Sequence, residues 1–135
     1  DIRPHAEAAI SAGADALTLI NTIPAMRIDV ETKTPLISRG IGGLSGPAIH
    51  PIAVRVIHEV YRDVAKNANI PIIGTGGVLH WEDAAEFILA GATAIGIGTA
   101  SFINPAISVK IAKKLSAWVK RHGCRSITEL VGQVH

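Results

Sequence analysis

Two short apolar runs that end in glycine carry the clearest chemistry of this sequence. They are Ile70-Pro71-Ile72-Ile73-Gly74-Thr75-Gly76-Gly77 and Ala94-Ile95-Gly96-Ile97-Gly98-Thr99-Ala100. Each reads as a short buried strand whose end lets backbone N–H groups approach a ligand with no Cβ in the way. A phosphate needs several N–H donors converging from two loops. The pairs Gly76-Gly77 and Gly98-Thr99 supply such donors, and Thr99 adds a hydroxyl. One glycine pair alone would serve a tight turn as readily as a phosphate; two pairs on consecutive strands, with one helix between them, point to phosphate. A second candidate is Ile20-Asn21-Thr22, at the end of a strand, where an amide and a hydroxyl can read an imide or carboxylate edge. The same residues equally serve as a loop cap and a turn start. A third is Gly42-Gly43-Leu44-Ser45-Gly46-Pro47, in which Gly46 lets backbone approach a flat ring or a ribityl chain. Its alternative is a flexible loop before a proline-initiated helix.

The elements that must hold these residues follow from periodicity and punctuation. Pro4 suits the first turn of a helix ending at Gly13, and Ala16 to Asn21 is a strand. Residues 22–45 have no helical period. Within them, Arg27-Ile28-Asp29-Val30 and Pro35-Leu36-Ile37-Ser38 flank a polar turn, which predicts a small β-hairpin inside a long loop. Loops of that length are usually functional. A helix over about 48–66 places Ile52, Val56, Val60 and Val64 in one apolar stripe. Strand 70–74 follows, then a helix over 81–90 with Glu82 and Asp83 in its first turn, and strand 93–98. A long helix over 105–122 and a short one over 126–133, opened by Ser126 and Glu129 at capping-box spacing, end the chain.

Three apolar strands that alternate with helices require parallel pairing and right-handed crossovers. The order fits a (β/α)8 barrel, an α/β fold in which the loops after the last two strands commonly hold a phosphate. The chain has 135 residues, whereas a whole barrel takes about 250. The expectation is therefore the C-terminal half of one barrel domain over residues 1–135, about strands 6–8 with their helices. The start at Asp1-Ile2, without methionine, reads as a cut, with the N-terminal half absent.

Composition narrows the function classes. Hydrophobic residues make up 48% and charged residues 18%, which favours a packed α/β interior over a disordered binder. A net charge of +2 and 4% aromatics argue against nucleic acid. No apolar run is long enough to span a membrane. The single cysteine, Cys124, fits a reducing, cytoplasmic setting and reads as an ordinary free thiol. None of the histidines has metal-ligand spacing, so no metal site is expected. Lys110, Lys113, Lys114, Lys120 and Arg121 read as the solvated face of a helix, or else a partner contact, with Trp118 turned inward.

In order and spacing, LTLINT, MRIDVETKTPLISRGIGGLSGPAIHPIAVRVIHEVY, IPIIGTGGV and AGATAIGIGTASFINP together resemble the dihydroorotate dehydrogenase family. The Ser45-Gly46-Pro47 segment and the hairpin loop resemble its class 1B, the catalytic subunit of the NAD-dependent enzyme. The resemblance implies FMN as cofactor, with Ile20 against the flavin, Gly46 in contact with it, and Gly76, Gly77, Gly98 and Thr99 on its phosphate. It implies that Asn21 and Thr22 contact the substrate, dihydroorotate. It further implies oxidation of (S)-dihydroorotate to orotate in pyrimidine synthesis, with a base taking the C5 proton while C6 delivers hydride to flavin N5. Electrons then reach NAD through a partner subunit with FAD and a 2Fe–2S cluster, on a homodimer that makes a heterotetramer. The family's general-base cysteine, and its lysine near the flavin, belong to the first half of the barrel, so no catalytic residue is expected in this chain. His50 falls where the family often has a basic residue, and its substitution is expected to matter little. The alternatives are another FMN- or phosphate-binding barrel, such as a dihydropyrimidine dehydrogenase-like domain, or a non-catalytic half-barrel.

Overall fold

The structure is a computed structural model and describes residues 1–134. Helix α1 (Arg3–Ser11) has its proline in the first turn and is stopped at Gly13, whose φ of +96° no other residue adopts cheaply. Strand β1 (Leu17–Leu19) follows. Three short strands follow: β2 (Ile23–Ala25), β3 (Ile28–Asp29) and β4 (Thr34–Pro35). β5 (Gly42–Leu44) leads through a 3-10 turn at Pro47–Ile49 into α2 (His50–Val60). The helical run continues as a π-helical turn at Tyr61–Ala65 and a last turn, α3 (Lys66–Ala68). Then come β6 (Ile72–Thr75), α4 (Trp81–Ala90), β7 (Ala94–Gly96), α5 (Ala100–Ile103) and α6 (Ile107–Arg121).

The fold is mixed α/β around a parallel three-stranded sheet in the order β1-β6-β7. Leu17 pairs with Ile72 and Leu19 with Gly74; Ile73 pairs with Ala94 and Thr75 with Gly96. Helices α2 and α4 cover one face, so Leu17, Leu19, Ile72 and Gly74 are buried there. The alternate residues Thr18, Ile73 and Thr75 point to the other face and are exposed or half-buried. The barrel is not closed. Strand β7 differs from the buried strand expected of it: Ala94, opposite Ile73, lies on the uncovered face and is exposed, and Ile95, on the helix side, is half-buried at the edge of the sheet.

The core lies between the sheet and the helices. Phe87, Ile57, Ile72, Ile88 and Val60 are its largest fully buried side chains. Gly74 is where the layers come closest. A Cβ there would lie 3.0 Å from Phe87 and 3.1 Å from Ala92 and Ile57. The stripe on α2 is rotated from the expected one. Ala53, Val56, Ile57, Val60 and Val64 are buried, while Ile52 lies 41% exposed, because the face toward the sheet centres on Ala53 and Ile57. The π turn carries Tyr61 to a site where its ring packs on both Gly91 and Gly132.

Outside α4 lies α6. It buries Ile111, Leu115, Trp118 and Val119 and leaves Lys110, Lys113, Lys114, Lys120 and Arg121 exposed. Trp118 meets Trp81 at 6.3 Å between ring centroids. The expected helix over 105–122 begins two residues later, and α5 precedes it, since Asn104-Pro105 breaks the run between them. The expected terminal helix is a 3-10 turn, Ile127–Leu130, with the Ser126–Glu129 capping box formed. Gly132, at φ +70°, stops it.

Asp63, in the π turn, accepts from Arg3 of α1 at 2.8 Å and from Arg62 at 2.6 Å. The bonds from Arg62, then Arg3, hold its carboxyl well below the usual carboxylate range. A carboxyl depressed on folding stabilises above its unfolded value, about 4, and loses that contribution as pH falls toward the folded value. Asp63→Asn is therefore expected to flatten the stability profile below about pH 4, modestly for so exposed a group, as read from urea midpoints across pH. Phe87→Ala is expected to cost about 3–5 kcal/mol in the same assay at neutral pH.

Candidate functional site

The glycine loops meet because the sheet is parallel and in register. The pairing of Thr75 with Gly96 leaves Gly76-Gly77 and Gly98-Thr99 leaving the sheet at the same end, beside the end of β1 at Ile20. The third loop arrives by a ladder that sequence reasoning missed. β2 and β5 pair antiparallel, Ile23 with Leu44 and Ala25 with Gly42, inside the stretch read as a long loop. This pairing returns the chain from the hairpin β3–β4 and sets Ser45-Gly46-Pro47 next to Ile20–Thr22. Gly43 permits it, since a Cβ there would run into the Thr22 side chain. A pair of glycines before Leu44, opposite Ile23-Pro24-Ala25, was the available signal.

Together these loops enclose a cavity of ≈ 360 Å³. Ile20, Gly46, Gly76, Gly77, Gly98 and Thr99 all line it, and so does Thr22. Asn21 does not. It is exposed, and its Oδ1 accepts from the Thr22 backbone N–H at 2.7 Å, the loop-capping arrangement. Ser45 and Pro47, from the third candidate segment, join the wall, and Ile49, Val78 and Ile103, which the sequence did not single out, complete much of it.

The glycines are required by geometry at two of these positions. Gly46 has φ +88° and ψ −170°, a conformation essentially confined to glycine. Gly77 has φ +71°, and a Cβ there would lie 2.5 Å from the Gly46 carbonyl oxygen and 2.9 Å from His50 Cβ. The two loops thus touch backbone to backbone. Gly98 differs: a Cβ there meets nothing within 4 Å, so its bareness opens the cavity instead of relieving a clash. Among the described residues, the N–H groups of Gly77, Gly98 and Thr99 have no backbone acceptor. Donors without a backbone acceptor on both loops, in residues that line one cavity, suit an anion with several oxygens. Across the mouth, Thr99 Oγ1 donates to Ser45 Oγ at 2.9 Å.

His50 corrects the expectation that it carries little. It is buried at the start of α2. Its Nδ1 lies 2.9 Å from the Gly76 carbonyl oxygen, its Nε2 3.2 Å from Glu86, and its ring 4.7 Å from that of Phe87. Cys124 is a free, half-buried thiol past the end of α6, away from the cavity.

Comparison with known proteins fixes the family. The dihydroorotate dehydrogenase family model matches residues 1–119. The chain belongs to that family. Similar curated dihydroorotate dehydrogenases include proteins of Bacteroides fragilis and Caldicellulosiruptor bescii, at 50% and 53% identity. The first match covers 98% of this chain and 42% of the relative, the second 100% and 44%. A third, from Desulforudis audaxviator, is 50% identical over all of this chain and 43% of its own length. Each of the three is named dihydroorotate dehydrogenase B (NAD(+)), catalytic subunit. The chain thus spans less than half the length of these dihydroorotate dehydrogenases. No helix among the described residues is long and apolar enough to cross a membrane.

The two kinds of glycine predict opposite outcomes. Gly77→Ala is expected to lose at least about 2 kcal/mol of stability through backbone strain and the Gly46 clash. Gly98→Ala should stay within about 0.5 kcal/mol of the parent. Chemical denaturation of both variants checks this.

Proposed function

We propose that residues 1–135 form the C-terminal portion of an FMN-binding (β/α)8 barrel, with the N-terminal half supplied by the rest of the enzyme. The whole enzyme oxidises (S)-dihydroorotate to orotate in pyrimidine (UMP) biosynthesis in the cytoplasm. The observation that carries this reading is the convergence of three glycine loops on one cavity in a chain of this family.

The residues present fit FMN. The free N–H groups of Gly77, Gly98 and Thr99 suit its phosphate, and the openness at Gly98 leaves room for it. Gly46, held where only glycine fits, and Ile20 offer a bare backbone and an apolar side chain to the rest of the cofactor. A cavity of ≈ 360 Å³ is within the usual range for small-molecule sites. When bound, FMN supplies the two-electron acceptor for the oxidation, and the protein supplies position. Thr22 lines the same cavity, and its hydroxyl would bind the substrate ring. Asn21 joins it only by releasing its Oδ1 from the Thr22 N–H. This chain supplies no general base; the cysteine that removes the substrate proton lies in the other half. Electrons leave for NAD through a partner subunit carrying FAD and a 2Fe–2S cluster, the catalytic chain being a homodimer within a heterotetramer. The relatives' designation as NAD(+)-linked catalytic subunits supports this arrangement.

The full-length subunit is expected to retain FMN and to lose flavin absorbance when dihydroorotate is added without oxygen. Unchanged absorbance would overturn the reading. The 135-residue chain alone is expected to show no dihydroorotate oxidation. In the full-length subunit, Gly98→Val should weaken FMN binding on the order of tenfold, about 1.4 kcal/mol. Thr22→Val should raise the KM for dihydroorotate about 5–10-fold, for the loss of one hydrogen bond.

A further inference from the structure

We infer that His50 is a positioning residue for the phosphate of the bound cofactor, acting through the Gly76 peptide. The inference rests on the FMN reading above. A carbonyl oxygen only accepts, so the 2.9 Å contact between Nδ1 and Gly76 O requires a proton on Nδ1. That bond is buried, and it reaches the residue immediately before Gly77, which lines the cavity and whose N–H has no backbone acceptor. The peptide between Gly76 and Gly77 carries both groups. Holding its carbonyl on one side aims its N–H on the other.

Glycine gives this peptide unusual freedom, since Gly76 lies at φ +143° and Gly77 at φ +71°. Something has to select one orientation from the many that two glycines permit. The ring of His50 is itself fixed on three sides. Its Nε2 lies 3.2 Å from Glu86 and 4.0 Å from Asp83 on α4, and its face packs on Phe87. Its Cβ is where a side chain on Gly77 would have to go. His50 also sits four residues after Gly46, whose carbonyl accepts from Ile49 N–H at 3.1 Å. One side chain therefore locks the Gly76-Gly77 turn to the helix that begins at the Gly46 loop. The ring does not line the cavity, so it acts on the ligand only through that peptide.

The test is the affinity of the full-length subunit for FMN and for riboflavin, which lacks the phosphate, by quenching of flavin fluorescence. His50→Leu removes the donor, and His50→Asn keeps an N–H at the position of Nδ1. The Leu variant is expected to weaken FMN about tenfold while changing riboflavin less than about twofold. The Asn variant is expected to restore most of the FMN affinity. Equal losses for both flavins, or no loss for either, would overturn the proposal and leave the FMN reading standing. Failure of the unsubstituted subunit to bind FMN would overturn both. Should His50→Leu not fold, His50→Asn paired with Glu86→Ala decides the matter. Asn alone is to keep the FMN-to-riboflavin ratio, and Glu86→Ala, which takes away the nearest partner of Nε2, is to lower it. The reverse order would overturn the proposal.

Discussion

The backbone contact between Gly46 and Gly77 is the constraint on which the rest of the site depends. It brings two loops from separate βα units closer than any side chain allows. Closeness of that kind is unstable unless both loops are held from behind. The Gly46 loop is held by the β2–β5 ladder on one side and the start of α2 on the other. The Gly76-Gly77 turn is held by β6 and by His50. Preorganised donors of this kind bind an anion without reorganising, which is why their supports matter as much as the donors.

Register does the remaining positioning. In the parallel sheet, all three strands end on one side, and the pairing of Thr75 with Gly96 sets their two glycine ends nearly level. A slip of one residue would move one loop by about 3.3 Å, more than a hydrogen bond tolerates. The slip is opposed by packing. Gly74 is the only width that passes between Phe87, Ala92 and Ile57, and a shift would bring Ile73 or Thr75 there. The depth of the core and the alignment of the loops are therefore set by the same residues.

The strands, the αβ alternation and the glycine ends were legible in the sequence because they rest on local patterns: short apolar runs, capping residues and chain reversals. Helix α4 begins and ends as its pattern predicts, with Asp83 accepting from the backbone N–H of His80. The features that were not legible depend on partners distant in sequence. The β2–β5 ladder joins short segments separated by a hairpin, and neither has a period long enough to read. The rotation of the α2 stripe away from Ile52 reflects where the sheet lies, not the helix's own periodicity. His50 was passed over because a histidine's role lies in what surrounds it. Glu86 lies 36 residues on and Gly76 26 residues on. Of the residues expected to contact cofactor or substrate, Asn21 alone stands outside the cavity wall, since its side chain has a nearer acceptor role in its own loop.

The pairing of Trp81 with Trp118 has a spectroscopic consequence. The sequence has two tryptophans, and both sit in the α4–α6 layer, with the Arg121 guanidinium 5.4 Å from the Trp81 ring centre. Neither lines the cavity. Their emission is thus a gauge of the outer helical layer and a poor witness of the loops. A chain whose glycine turns had loosened would keep its native tryptophan spectrum, so an unchanged spectrum is no proof of an intact site.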